Sequence, residues 1–382
     1  MEERCTKVAD VIQEGKARLY MQIPSIVSSR MPVFYNPHMV VNRDMSLLVV
    51  LASLGEGAII CDPMGASGIR GIRFLLEAGA KKVIYNDINP RAVEEFKRLI
   101  KINRVDESKV EIHSEDASLL LRKLRGFDYV DMDPFGSPVD FLESAIPSVK
   151  RGGLLGVSAT DTAVLSGTYP TTCVRRYGSK PLLEAEFYHE VGIRILIKKV
   201  IEEGAKLDFA LTPVFCYSHR HHFKVFFKKD IGAKRADQLM KDIGYIVYCS
   251  KCLYRNALRC EDIRNLCPIC GNELFHAGPL WIGKLWDEGL ITGMQKLKDR
   301  LILSKETIKL LSKVEQEATK QTVGFYTLSA IGEKLRIGSL PNLGRFLSLM
   351  EGVRTHFTGE GFRTTLSHSE LLKRLGSLSL RQ

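Results

Sequence analysis

One run in this 382-residue chain combines residue types that together can handle an amino group attached to an aromatic ring: Asp131-Met132-Asp133-Pro134-Phe135-Gly136-Ser137-Pro138. The lone pair of such an amine is delocalised into its ring, which makes it a poor nucleophile. A carboxylate and a backbone carbonyl that accept its two N–H groups draw it toward tetrahedral geometry. Asp133 offers the carboxylate and Pro134 the carbonyl, and Pro134 has no N–H to compete as a donor. Phe135 offers a face on which a base lifted out of its helix can stack. Asp, Pro and Gly are also ordinary turn residues, so the run gains meaning only from the elements that place it.

Strands and helices alternate around it. Residues 58–62 read as a short buried strand ending at Asp62, residues 82–87 as a second ending at Asp87, and residues 109–113 as a third with Asp116 just past it. Residues 127–133 form the fourth and residues 153–160 the fifth. Helices are predicted from the glycine-rich turn to about Ala78, and over residues 90–103, 138–149 and 181–203. Residues 207–217 and 222–228 read as a hairpin whose turn carries His219 and His221, placed near the substrate surface without a metal. Such alternation, closed by a hairpin, predicts an α/β fold with a mostly parallel sheet and one antiparallel strand. Residues 1–45 read as a lead-in, with a strand over 17–23, then Pro24, Pro32 and Pro37, and then a helix from Asp44, its N-cap, to Leu54.

The turn after the first strand is Asp62-Pro63-Met64-Gly65-Ala66-Ser67-Gly68-Ile69-Arg70-Gly71. It lacks the G-x-G-x-x-G spacing of dinucleotide sites, and an acid at the strand end suits a pyrophosphate badly. It suits a ligand that carries positive charge and no phosphate. S-adenosylmethionine, with a sulfonium and an ammonium, is such a ligand. Asp87 stands where a carboxylate can hold ribose hydroxyls, and Asp116 with Ala117 where a side chain and a backbone N–H can meet adenine. Three acids at successive strand ends form one carboxyl-edge crevice, although each alone is a common helix cap.

Beyond residue 229 the pattern changes. Cys249-x-x-Cys252 and Cys267-Pro268-Ile269-Cys270 are two knuckles 14 residues apart, a zinc-ribbon spacing. Four thiolates close the coordination shell, so the Zn2+ would be structural. From Trp281 onward the chain reads as helical, over 281–299, 304–318, 326–336, 342–352 and 368–375. The net charge is +11, and residues 230–382 hold 23 Lys and Arg against 16 Asp and Glu. A basic balance favours an anionic partner. Nine cysteines with no apolar leader argue against a disulfide framework and for a cytoplasmic protein, and no apolar run is long enough to span a bilayer.

Taken together, these motifs resemble the tRNA (guanine-26-N2)-dimethyltransferase family, archaeal type. Further matching pieces are Phe34-Tyr35-Asn36-Pro37, Asn42-Arg43-Asp44-Met45-Ser46, Asn86-Asp87-Ile88-Asn89-Pro90, Ala159-Thr160-Asp161-Thr162-Ala163-Val164-Leu165, Gly278-Pro279-Leu280-Trp281 and Arg354-Thr355-His356-Phe357. The resemblance implies a class I (Rossmann-like) methyltransferase domain over 1–229. It implies a mostly helical, tRNA-binding domain over 230–382, with a zinc-ribbon-like insert at 245–276. It implies that Arg43, Asp62, Gly65, Arg70, Asp87, Asp116 and Ala117 bind the methyl donor. Asp133, Pro134 and Phe135 would receive the guanine, with Phe34 or Tyr35 as a second wall. Arg345, Arg354, His356 and Arg363 would track phosphates. No obligate protein partner is evident. Competing readings are an amino-methyltransferase for another RNA guanine or DNA adenine, an RNA-binding protein with an inactive α/β domain, and an NAD enzyme.

Overall fold

The computed structural model describes residues 10–21, 31–335, 337 and 341–379. The chain divides into two compact units, residues 1–133, 144–156 and 293–308 in one and residues 134–143, 157–292 and 309–382 in the other. The first opens with a hairpin of β1 (Asp10–Glu14) and β2 (Ala17–Met21). The strand expected over 17–23 is present to Met21; Ile23, Pro24 and residues 1–5 lie outside the described residues.

Helix α1 (Val40–Leu54) begins four residues before the expected start. Asn36 and Pro37 build a single 3-10 turn that leads directly into it. Asp44 is therefore no N-cap. It lies inside the helix, fully buried, and its carboxylate accepts from Arg73 (2.7 Å), the Ser304 N–H (2.9 Å) and the Thr307 hydroxyl (2.7 Å). All of residues 41–50 are buried, which marks a core helix and not a surface one.

Seven strands follow with their helices. They are β3 (Ile59–Asp62), α2 (Ile69–Glu77), β4 (Lys82–Asn86), α3 (Pro90–Ile102), β5 (Val110–His113), α4 (Ala117–Lys123), β6 (Phe127–Met132), α5 (Val139–Ser148) and β7 (Val149–Ala159). Then come α6 (Thr162–Leu165), α7 (Pro170–Tyr177), α8 (Tyr188–Ala205), β8 (Phe209–His219) and β9 (His222–Ile231). The sheet order is β5-β4-β3-β6-β7-β9-β8. β3 pairs in parallel with β4 and β6, β4 with β5, and β8 with β9 antiparallel. The sheet is thus mixed, as the alternating pattern predicts. The chain enters at β3, runs outward to β5 and returns to β6 on the other side. That reversal opens the crevice at the carboxyl ends where ligands of open α/β sheets bind. Pro213 lies on the edge strand β8, next to a register shift between Pro213 and Phe215, where a missing N–H breaks no ladder.

The cysteine-rich stretch, which shows no periodicity, is a three-stranded sheet ordered β11-β10-β12: β10 (Ile243–Tyr248), β11 (Arg255–Leu258) and β12 (Phe275–Trp281), preceded by α9 (Ala233–Met240). Trp281 ends a strand, and the helix expected from it starts at Glu288 as α10 (Glu288–Leu297). Next come α11 (Lys305–Ala318), β13 (Tyr326–Thr327), α12 (Leu328–Lys334), α13 (Leu343–Leu349), β14 (Val353–Arg354), β15 (Gly361–Arg363) and α14 (His368–Ser379).

A buried ion cluster holds the second unit together. Arg363 donates to Glu190 (2.7 Å) and Glu317 (2.6 Å), and to the carbonyls of Thr322 and Gly324. Glu317 also accepts from the Thr355 hydroxyl (2.5 Å), the His356 N–H (3.0 Å) and His356 Nδ1 (2.5 Å). The Ser218 N–H donates to His356 Nε2 (3.1 Å). The side chains of His356 and Arg363 are completely buried. The expectation that they track phosphates is therefore wrong: their partners are the internal acids Glu317 and Glu190. Arg345 and Arg354 remain exposed.

Candidate active site

At the carboxyl edge of the first unit, one guanidinium organises three acids. Arg70, in the first turn of α2, donates from Nη1 to Asp131 (2.8 Å), Asn42 (2.9 Å) and Ser46 (3.2 Å), and from Nη2 to Asp133 Oδ2 (2.5 Å). Its Nε stands 3.9 Å from Asp62 Oδ2. Asp131 is fully buried and also accepts from the Tyr129 hydroxyl (2.5 Å) and the Ser46 hydroxyl (3.1 Å). Burial works against the Arg70 charge, but Asp131, Asp133 and Asp62 outweigh it and raise its pKa further.

Asp62 differs from its neighbours. Its Oδ2 is buried and makes no hydrogen bond among the described residues. Burial, opposed by Arg70 and reinforced by Asp131, Asp133 and Asp87, pushes its carboxyl up to about 7. A cationic ligand supplies the partner that this oxygen lacks. Arg43 offers the opposite charge. Its Nε and Nη2 grip Glu14 at 2.6 Å each, and Nη2 also reaches the Asn36 carbonyl, which leaves the Nη1 donors for a ligand carboxylate. Burial raises the Glu14 carboxyl, but Arg43 and Arg73 outweigh it and hold it at about 2.

The other strand ends are partly occupied by backbone. Asp87 accepts from the Ala66 N–H through Oδ2 and the Asn89 N–H through Oδ1, 2.8 Å each. A carboxylate has about four lone-pair positions, so two remain for hydroxyls. Asp116 is the N-cap of α4 and accepts from the Leu119 N–H (2.9 Å), with Ala117 buried behind it. Gly65 lies on the Tyr85 ring, which a Cβ would approach to 2.3 Å, and Gly68 turns into α2 with φ +75. Tyr35 is buried, its hydroxyl donating to Glu14 (3.1 Å) and its ring under the Arg43 guanidinium at 5.2 Å. Phe34 is half-buried and its carbonyl accepts from the Ser67 N–H (3.3 Å).

The donor set as a whole fits S-adenosylmethionine: a buried carboxylate oxygen with no hydrogen bond among the described residues for the ammonium, the Arg43 Nη1 donors for the carboxylate, and a strand-end carboxylate for the ribose. Past β6, Pro134 is buried and Phe135 is 61% exposed. The next residue is clamped in both directions: the Gly136 N–H donates to Thr160 Oγ1 (2.6 Å), and the Thr160 N–H to the Gly136 carbonyl (2.9 Å). The model of the N2,N2-dimethylguanosine tRNA methyltransferase family matches residues 13–376.

The chain belongs to this family. It is 48% identical over 378 residues to the tRNA (guanine(26)-N(2)/guanine(27)-N(2))-dimethyltransferase of Aquifex aeolicus, covering 97% of this chain and 96% of that protein. It is 38% identical to the tRNA (guanine(26)-N(2))-dimethyltransferase of Methanosphaera stadtmanae, covering 94% and 95%. The solved structure of Trm1 from Pyrococcus horikoshii with S-adenosyl-L-methionine superposes with a TM-score of 0.84 at 34% identity, covering 96% of this chain and 99% of that one. The α/β architecture expected from the strand pattern is that of this family.

In this family member, Ser46, Asn42, Tyr129, Asp131 and Glu14 accompany the residues singled out in the sequence. Their signal was periodicity: Tyr129, Asp131 and Asp133 alternate along one strand face, and Asn42 and Ser46 stand four apart on one helix face.

The four knuckle cysteines come together. Their sulfurs lie within 4.8 Å of one another, with Cys249–Cys270 and Cys252–Cys267 both at 3.5 Å. A tetrahedral zinc with bonds of about 2.3 Å separates its sulfurs by roughly 3.8 Å. Each knuckle closes with a positive φ one residue on, Leu253 at +67 and Gly271 at +71. The Leu253 N–H returns to Cys249 and the Gly271 N–H to Cys267, 2.9 Å each. Cys260 is exposed and outside the cluster. The arrangement is consistent with structural zinc. Cys267→Ser should lower bound zinc and the thermal midpoint together; metal analysis that finds no zinc in the parent protein would remove this role.

Proposed function

We propose that this chain transfers methyl groups from S-adenosylmethionine to the exocyclic N2 of guanine 26 in tRNA, giving the mono- and then the dimethyl product, in the cytoplasm. The observation that carries this is the match, over nearly the whole length, to proteins named for that reaction. No helix among the described residues is long and apolar enough to cross a membrane.

The roles follow from the residues. S-adenosylmethionine, when bound, supplies an electrophilic methyl on a cationic sulfur. Asp62, Arg43, Asp87, and Asp116 with Ala117 would hold it, with Gly65 keeping the turn close. Asp133 accepts from Arg70 through Oδ2, which leaves Oδ1 to accept one guanine N–H. The Pro134 carbonyl accepts the other, and Phe135 stacks on the base. Methyl transfer would leave the nitrogen cationic, and the Asp133 carboxylate would accept its extra proton. The Tyr35 ring is taken up by Arg43 and Glu14, so the second wall is assigned to Phe34. Residues 230–382, with 245–276 as the cysteine-bearing segment, bind the body of the tRNA, with Arg345 and Arg354 as exposed cations.

A second reading adds guanine 27. The identity to the Aquifex aeolicus protein, named for both positions, is 48%, against 38% for the Methanosphaera stadtmanae protein named for position 26 alone. The test uses tRNA transcripts with guanine 26, guanine 27 or both replaced, labelled S-adenosylmethionine, and nucleoside analysis. Labelled N2-methylguanosine that disappears when guanine 26 is replaced supports the first reading. Label that persists until both are replaced supports the second. Label in another nucleoside, or in DNA, overturns the substrate.

A further inference from the structure

We propose that helix α7, with the turn that precedes it, is a docking surface for the tRNA strand beside the target guanine. The inference rests on the tRNA reading above and extends it to residues with no role there.

The placement comes from a chain of hydrogen bonds inside the second unit. Ser137, two residues after Phe135, bonds through its hydroxyl to the Tyr177 hydroxyl at 2.8 Å. The Tyr177 hydroxyl also meets both oxygens of Asp161, at 2.8 and 2.9 Å. Asp161 takes Arg176 as well, at 2.7 Å. Asp161 follows Thr160, whose side chain and backbone clamp Gly136. The last turn of α7 is therefore tied to the loop that presents Phe135. The inward face of the helix is closed, with Cys173 and Tyr177 both buried.

The outward face is left to solvent with a composition suited to one partner. Tyr169 is 57% exposed and Val174 50% exposed, on the helix that the Ser137–Tyr177 bond ties to the Phe135 loop. Arg175 is exposed and pairs with no acid among the described residues, and the helix holds no acidic residue. Arg176 already balances Asp161. Exposed aromatic and apolar side chains interleaved with unbalanced arginine match a nucleic-acid strand: stacking for bases, charge for phosphates. With Asp161 and Asp140 both facing Arg176, Arg175 is the cation of this face left to meet the phosphates that flank an extruded nucleotide.

The test measures tRNA affinity against salt, and methyl transfer, for the parent, Arg175→Ala, Arg175→Lys and Tyr169→Ala. Both side chains are exposed, so the variants are expected to keep the parent's thermal midpoint and S-adenosylmethionine affinity. Arg175→Ala should weaken tRNA binding and reduce the slope of log Kd against log salt by about 0.7–0.9. Arg175→Lys should restore the slope. Tyr169→Ala should weaken binding at least about fivefold with the slope unchanged. Parent-like affinity and slope in all three variants, with a parent that methylates tRNA, overturns the docking surface alone. A parent that neither binds nor methylates tRNA overturns the tRNA reading and the docking surface with it.

Discussion

Asp133→Ala is expected to bind S-adenosylmethionine like the parent and to lose methyl transfer by about 100- to 1,000-fold, the loss typical of a preorganised group that acts on the reacting atoms. The measurement pairs a cofactor titration with single-turnover transfer to tRNA. Unchanged turnover would remove Asp133 from the mechanism. The neighbouring network sharpens this expectation. Arg70 occupies Asp133 Oδ2, and Asp131, Asn42 and Ser46 hold Arg70. Asp131→Asn removes the charge that anchors Arg70 from the buried side, so Arg70, and Asp133 with it, loses its fixed position. The expected result is a fall in kcat with the cofactor Kd near the parent value. The reverse pattern, a weakened cofactor Kd with kcat intact at saturation, would assign Arg70 to the methyl donor instead of to Asp133.

The second large effect is on stability. Arg363→Met should destabilise the protein by about 3–5 kcal/mol, since it leaves Glu190 and Glu317 buried without their shared cation. Denaturant unfolding reads this directly, and a parent-like midpoint would show that the cluster is not holding the unit together. The same cluster sets an acid limit. Burial raises the Glu317 carboxyl, but His356 and Arg363 outweigh burial and bring it down to about 2. Its folded pKa lies below the ordinary carboxylate value. The stabilisation is thus complete above about pH 4.5 and is lost as the pH falls from there toward 2. Glu14, held at about 2 by Arg43 and Arg73 against the effect of burial, adds a second contribution of the same sign in the same window. Stability measured between pH 5 and 2 should fall steeply, and less steeply in Arg363→Met, which has already lost the Glu317 pairing.

Much of the fold and part of the candidate site was legible because it is written in local signals. Strand ends, glycine turns and proline-led helices depend on a few consecutive residues, and the order of Asp62, Asp87, Asp116 and Asp133 along the chain is their order at the sheet edge. The two knuckles announced themselves by spacing, and their sulfurs do converge. Legibility failed where a residue's role depends on what packs on it from far along the chain. Asp44 has the form of a helix cap, yet its partners are Arg73, Ser304 and Thr307. His356 and Arg363 have the form of surface cations, yet they are internal. Composition assigns a charge; it does not say whether water or an opposite charge surrounds it.

By itself, then, the amino-acid sequence determined the alternating α/β core, the acids at its strand ends, the Asp133-Pro134-Phe135 run and the four-cysteine set, because hydrophobic period and turn chemistry act over a few residues. Only the tertiary structure decided that a buried Asp62 oxygen makes no hydrogen bond among the described residues, that Arg70 ties Asp131 to Asp133, and that α7 is fastened to the loop that carries Phe135. Those facts arise from side chains separated by tens to hundreds of residues, whose charges and hydrogen bonds acquire partners only when packing brings them together and excludes water.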